Sequence, residues 1–219
     1  MKNISTQYIE GISALNPCDA QTVYELLLSR LNARASVADI GCGRGDTLAY
    51  LSARTSFELF GAEPDEGLLA AARERCPGAG IVRASAQALP FTGGSFDAVL
   101  MECVFSLTEE PETAAKEAHR VLRGSGICLV TDVYCTGKQS HYIGQSDLLR
   151  NIYTKASIEA YFTQQTFTLD YFTDRTHDLQ TMLAKMIMDD TTENCLGQET
   201  MHLLRRIKAR YGIWIFRKI

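Results

Sequence analysis

The sequence predicts an α/β fold: a three-layer, doubly wound sheet, mostly parallel, with helices on both faces. Short β-rich runs alternate with helical patterns from Val37 to Asp132, and that rhythm implies right-handed crossovers between parallel strands. The first run empties into a turn with glycines at 41, 43 and 45 that opens a helix. The 219 residues suit one well-cored domain with an insertion rather than two ordinary domains.

Residues 1–18 are polar and irregular, and Asp19 caps an expected helix to about Leu31, with Val23, Leu26, Leu27 and Leu31 at helical spacing. Strand one is Val37 to Ile40, and the helix after the turn carries Leu48 and Leu51 toward the sheet. Strand two is Glu58 to Ala62, and a helix from Glu66 to Arg75 is closed by the breaker pair Pro77-Gly78. Strand three follows at Gly80 to Arg83, and strand four, Phe96 to Met101, comes after the turn Thr92-Gly93-Gly94-Ser95. Thr108 is the expected cap of a helix from near Glu109, with Pro111 tolerated in its first turn. Strand five is Ile127 to Asp132. Residues 134–151 show no clear period. A helix near Ala156 to Gln164, a strand near Phe167 to Phe172, helical patterns at Asp178 to Met188 and Glu199 to Arg210, and a last strand at Gly212 to Phe216 complete the chain.

The glycine turn carries the chemistry. Parallel sheets bind ligands beyond the carboxyl ends of their strands, and glycines there let the main chain approach a ligand closely. Main-chain N–H groups at the start of the next helix favour a carboxylate or phosphate. Dinucleotide sites prefer Gly-x-Gly-x-x-Gly, whereas here the third glycine comes one residue early. Asp39, on the strand just before the turn, would repel a pyrophosphate but accept hydrogen bonds from an ammonium group. Both features favour an amino-acid-like ligand over a nicotinamide dinucleotide, the rival kept for an oxidoreductase.

Asp39-Ile40-Gly41-Cys42-Gly43-Arg44-Gly45 resembles the first motif of the class I S-adenosylmethionine-dependent methyltransferases. Phe60-Gly61-Ala62-Glu63-Pro64-Asp65 resembles the family's second-strand acid, Ala84 to Phe91 its adenine loop, Gly94 to Leu100 its fourth strand, and Glu117 to Gly126 the helix and turn before strand five. The blocks run in the family's order, most closely that of its small-molecule, type 11-like branch. The resemblance implies a Rossmann-like methyltransferase fold with an antiparallel last strand between strands five and six. It implies S-adenosyl-L-methionine as cofactor, S-adenosyl-L-homocysteine as product, and a small-molecule methyl acceptor.

Carried onto this chain, the resemblance makes Asp39, Gly41, Cys42 and Gly43 the receptors of the donor's methionine end. Glu63, with Pro64 beside it, is the ribose acid, since two carboxylate oxygens can accept from two ribose hydroxyls. Ser85 stands where the family usually has an acid for the adenine amino group, and its uncharged hydroxyl makes that contact weaker. Ala86 offers a main-chain N–H to the adenine ring. Met101 and Glu102 end strand four at the methyl-transfer opening. Arg44, where small residues are common, either pairs with a carboxylate or points to water, the second being the expectation. No catalytic base is assigned. Glu102 is one candidate and His141, in the irregular stretch after strand five, is the other; a neutral histidine can take a proton from a hydroxyl substrate.

The net charge of −4 gives no reason to expect nucleic-acid binding, and the basic cluster from Arg205 to Lys218 reads as a solvated face. Strand four also lacks the Asn/Asp-Pro-Pro-aromatic run of nucleic-acid amino methyltransferases. Seven cysteines at no zinc-like spacing read as free thiols, and no metal site is expected. No apolar run approaches the roughly 20 residues that span a bilayer, and the first residues lack a signal-peptide core, so membrane association is not expected and the cytoplasm is. His119, His177 and His202 read as structural. The expected organisation is a single domain with an N-terminal helical lid (1–35), a cofactor-binding core (36–133) and a substrate-side insertion with the final strands (134–219). The expected reaction is in-line transfer of a methyl group by positioning more than by a charged catalytic hole, and the alternative is a non-catalytic sensor or scaffold that binds the same ligand. The acceptor and the oligomeric state are not readable.

Overall fold

A computed structural model describes residues 16–144, 149–188 and 197–219. Helix α1 (Ala20–Leu28) starts at Asp19, whose carboxylate accepts from the Thr22 N–H at 2.8 Å. It stops before Leu31 because Ser29 and Arg30 both donate to the Leu26 carbonyl and close the last turn. Strand β1 (Ser36–Ile40), helix α2 (Asp46–Ser52), strand β2 (Glu58–Ala62), helix α3 (Glu66–Arg75), and strands β3 (Gly80–Val82) and β4 (Phe96–Glu102) follow. Helix α4 (Pro111–Val121) leads directly into the long strand β5 (Leu122–Cys135). The second half holds β6 (His141–Tyr142), β7 (Asn151–Thr154), α5 (Lys155–Thr163), β8 (Phe167–Asp174), α6 (Thr176–Met188), α7 (Gly197–Arg206) and β9 (Arg210–Lys218).

The core of the sheet runs β3-β2-β1-β4-β5, all parallel. β9 lies antiparallel between β5 and β8, so the sheet is mostly parallel with an antiparallel closing strand. β1 is buried along its whole length, as a central strand covered on both faces must be. Alternating side chains build two apolar layers. Val37, Ala98 and Leu100 pack with Val23, Leu27, Leu48 and Leu51 on one face. Ala38, Ile40, Val99 and Met101 pack with Ala114, Ala118 and Phe162 on the other. There Phe162 stacks on Phe216 at 4.1 Å between centroids, a contact worth about 1 kcal/mol beyond its buried area.

Two local expectations need correction. Helix α4 begins two residues after the expected start, with Glu110 at its N-cap and no side-chain cap. Thr108 lies two residues ahead of that N-cap, where its hydroxyl accepts from the Glu110 N–H at 3.2 Å and from Gln87 Nε2 at 2.5 Å. The stretch after strand five also contains a hairpin, β6 pairing with β7, whose strands are too short to leave a period in the sequence. Tyr134 pairs with Arg210 of β9 on one edge of β5 and with Tyr153 of β7 on the other. The hairpin thus takes up the β5 edge just beyond the point where β4 ends.

Candidate active site

The turn after β1 holds Gly41, Gly43 and Gly45 at φ of 74°, 54° and 78°, a region that side chains with a Cβ avoid. At Gly41 an added Cβ would lie 2.8 Å from Val104 Cγ2, whereas at Gly43 nothing lies within 4 Å. The main chain at Gly43 is therefore an open floor.

β1 and β2 end in register, Ile40 opposite Ala62. The Ala62 carbonyl consequently accepts from the N–H groups of both Gly41 (2.7 Å) and Cys42 (3.2 Å). The Gly43 N–H donates to Glu63 Oε2 at 2.9 Å. These three N–H groups thus donate within the protein, and the ends of β1 and β2 are tied together through them. Arg44, half-buried, makes no hydrogen bond or ion pair with a described residue.

Three carboxylates converge on the turn. Asp39 is 2% exposed, and its Oδ1 has no hydrogen-bond partner among the described residues. Burial first, then the charges of Glu102 and Glu63, hold its carboxyl well above the usual carboxylate range. Asp39 pairs with Leu100 across the β1–β4 ladder, so Glu102 emerges from the same face two residues further along. Burial raises the Glu102 carboxyl, opposed by hydrogen bonds from Asn16 and Thr47. Glu63, buried just past β2, accepts from Gly43 N with one oxygen and from Asp65 N with the other. Each oxygen keeps a second lone pair. Burial raises this carboxyl too, against those two bonds. A carboxylate left buried without a donor is costly, and a cation brought between Asp39 and Glu102 removes that cost.

The loop after β3 begins beside Glu63, whose main-chain N–H donates to the Val82 carbonyl at 3.1 Å. Ser85 and Ala86 are half-buried in it, and Pro64 is exposed, its carbonyl accepting from Arg83. Arg120 anchors the loop by donating to the carbonyls of Leu89 (2.9 Å) and Phe91 (2.7 Å) while paired with Glu117, which in turn accepts from the Leu89 N–H. Cys42 is buried in the apolar layer that contains Leu48. Met101, 1% exposed, packs in the layer opposite to Asp39 and Glu102, so only its main chain can face the recess.

On the other side of Glu102, Arg150 and Asn151 both donate main-chain N–H to the Ser106 carbonyl at 2.8 Å, seating the hairpin over the loop after β4. His141 pairs through its main chain with Ile152, and no hydrogen bond joins its ring to Asp39, Glu63 or Glu102. Asn16 escaped sequence reasoning. Its amide donates to Glu102 Oε2 at 2.8 Å across 86 positions of chain, and no local pattern marks such a contact. Thr47 and Arg120 escaped for the same reason. Among the described residues no group of three or more His, Cys, Asp or Glu side chains is placed to hold a metal ion.

Residues 38–130 match a family model described as a methyltransferase domain. Over this stretch the chain is similar to methyltransferase domains. Over 111 residues it is 33% identical to a probable S-adenosylmethionine-dependent methyltransferase of Mycobacterium tuberculosis, covering 51% of this chain and 40% of the relative. The chain spans about half or less of the length of the curated relatives it matches. In fold it is similar to geranyl diphosphate C-methyltransferase from Streptomyces coelicolor, solved with Mg2+, geranyl diphosphate and S-adenosyl-L-homocysteine (TM-score 0.72, 15% identity, 91% of this chain and 77% of that one). It is similar to the same degree to the [4+2]-cyclase SpnF (TM-score 0.72, 18% identity, 91% and 79%).

The site fits S-adenosylmethionine on its own geometry. The unpartnered, buried Asp39 oxygen and the open floor at Gly43 suit an amino-acid tail with an ammonium group. The free lone pairs of Glu63 suit a ribose diol. No helix among the described residues is long and apolar enough to cross a membrane.

Proposed function

We propose that this protein is a methyltransferase acting on a small-molecule acceptor, and that its donor lies across the ends of β1, β2 and β4. The observation that carries the reading is the Asp39 carboxylate, almost wholly buried, with no donor to its Oδ1 among the described residues, and backed by Glu102 at the mouth of a left-handed glycine turn.

When bound, S-adenosylmethionine supplies an electrophilic methyl group on a sulfonium sulfur. Asp39 and Glu102 accept from the ammonium group of the tail, and Arg44, without an ion-pair partner among the described residues, faces its carboxylate. Glu63 accepts from the ribose hydroxyls through lone pairs that Gly43 and Asp65 leave free. Ser85 and the Ala86 N–H meet the adenine, on a loop that Arg120 holds to α4. Residues 16–19 and the strands β6 and β7 frame the acceptor side, bringing the acceptor into line with the methyl group and excluding water. A base is required only for a protonated, weak nucleophile, and His141 on the hairpin is the residue to examine for that role.

Fold alone does not prescribe the chemistry, as similarity to both a methyltransferase and a cyclase illustrates. Incubation with methyl-labelled donor and metabolite extracts tests the activity. Label appearing in a small molecule, and absent with the Asp39→Ala variant, supports the reading; no transfer to any fraction contradicts it.

A further inference from the structure

We propose that Asn16, in the segment ahead of α1, is a positioning residue of the donor site, holding the Glu102 carboxylate beside Asp39 so that two acids face the ammonium group together. The inference rests on the donor-site reading above and adds a residue outside the family-matched region, which begins at 38.

Hydrogen bonding fixes the amide's orientation. Asn16 Oδ1 accepts from the Cys18 main-chain N–H at 3.2 Å and from the Tyr211 hydroxyl at 2.9 Å. A main-chain N–H can only donate, so the amide oxygen faces Cys18 and the amide nitrogen is turned to Glu102 Oε2, 2.8 Å away. Tyr211 is fully buried on β9, which makes the clamp a three-point structure joining the two ends of the chain to the end of β4.

The clamp answers an electrostatic difficulty. Of the charges acting on Asp39 that of Glu102 is the strongest, and two carboxylates in a buried recess repel. A free glutamate would swing away through its flexible side chain. Donation from Asn16 keeps it in place, while Asp39 Oδ1 has no donor among the described residues and is left for the ligand.

The Asn16→Asp variant separates positioning from scaffolding. Aspartate keeps both acceptor contacts, to Cys18 and Tyr211, but cannot donate to Glu102 and adds a like charge. Wild type and variant are titrated calorimetrically with S-adenosyl-L-homocysteine and with methylthioadenosine, which shares the nucleoside but lacks the amino-acid tail. The expected result is about a tenfold or greater loss of affinity for S-adenosyl-L-homocysteine, the scale of one charge-assisted hydrogen bond, with methylthioadenosine unchanged. Equal losses for both probes, or no loss for either, overturn the proposal while leaving the donor site standing. Failure of the wild type to bind S-adenosyl-L-homocysteine overturns the donor-site reading and this inference with it. Should Asn16→Asp fail to fold, Tyr211→Phe with the same two probes replaces it: a smaller loss confined to S-adenosyl-L-homocysteine supports the clamp, and unchanged affinity for both removes it.

Discussion

The carboxylate of Glu63 and the main-chain N–H of Gly43 are joined by a 2.9 Å hydrogen bond, which ties the loop after β2 to the turn after β1. The acid suited to a ribose is therefore also a structural acceptor for the turn beneath the amino-acid tail. Glu63→Gln leaves one acceptor oxygen for two main-chain donors, Gly43 and Asp65. It is expected to cost about 1–3 kcal/mol of stability and to weaken donor binding as well, measured by denaturant unfolding and calorimetry on the same preparation.

Gly41 and Gly43 separate packing from ligand access. Gly41→Ala combines a left-handed backbone with a 2.8 Å clash on Val104 and is expected to lose about 2 kcal/mol or more. Gly43→Ala, with open space at its Cβ position, carries only the backbone cost of about 1–2 kcal/mol. Its Cβ stands on the floor meant for the ligand, so the affinity loss should exceed that of Gly41→Ala once both are measured at temperatures where each is folded.

Asp132 gives a pH signature away from the ligand. It is fully buried, and burial pushes its carboxyl up to about 7 against hydrogen bonds from Ser106 and Val133. A carboxyl raised in the folded state keeps its proton there while the unfolded chain releases it, so folding loses stability as pH rises from near 4 to about 7. The stability of wild type relative to Asp132→Asn should thus fall with rising pH across that window, by about 1.4 kcal/mol per pH unit, and level off above it. A flat difference in unfolding free energy between pH 5 and 7.5 would sink this assignment.

Ser85 offers a gain-of-affinity test. Replacing it with aspartate restores a charged acceptor in the loop after β3, and donor affinity should rise by roughly tenfold, the difference between a neutral and a charge-assisted hydrogen bond. Unchanged affinity in calorimetry would place the adenine elsewhere.

The parallel strands, the glycine turn and Glu63 were legible because each depends on local pattern: an apolar run, spaced glycines, an acid at a strand end. The antiparallel closing strand was legible only through family resemblance. The partners of these groups were not legible. The Ala62 carbonyl consumes two N–H groups of the turn because β1 and β2 finish level, a matter of register that spacing within one strand cannot reveal. Asn16 reaches Glu102, and Tyr211 reaches Asn16, across 86 and 195 positions of chain. The β6–β7 hairpin was missed because two paired residues are too few to show alternation. Thr108 stands two residues ahead of the N-cap, so its hydroxyl, shared by the Glu110 N–H and Gln87, bonds the approach to the helix rather than its first turn.

Calorimetric titration of S-adenosyl-L-homocysteine into wild type and Asp39→Ala tests the central claim most directly. Saturable one-to-one binding to the wild type, lost or severely weakened in the variant, is the predicted result. Absence of binding to the wild type, or equal binding to both, would contradict it.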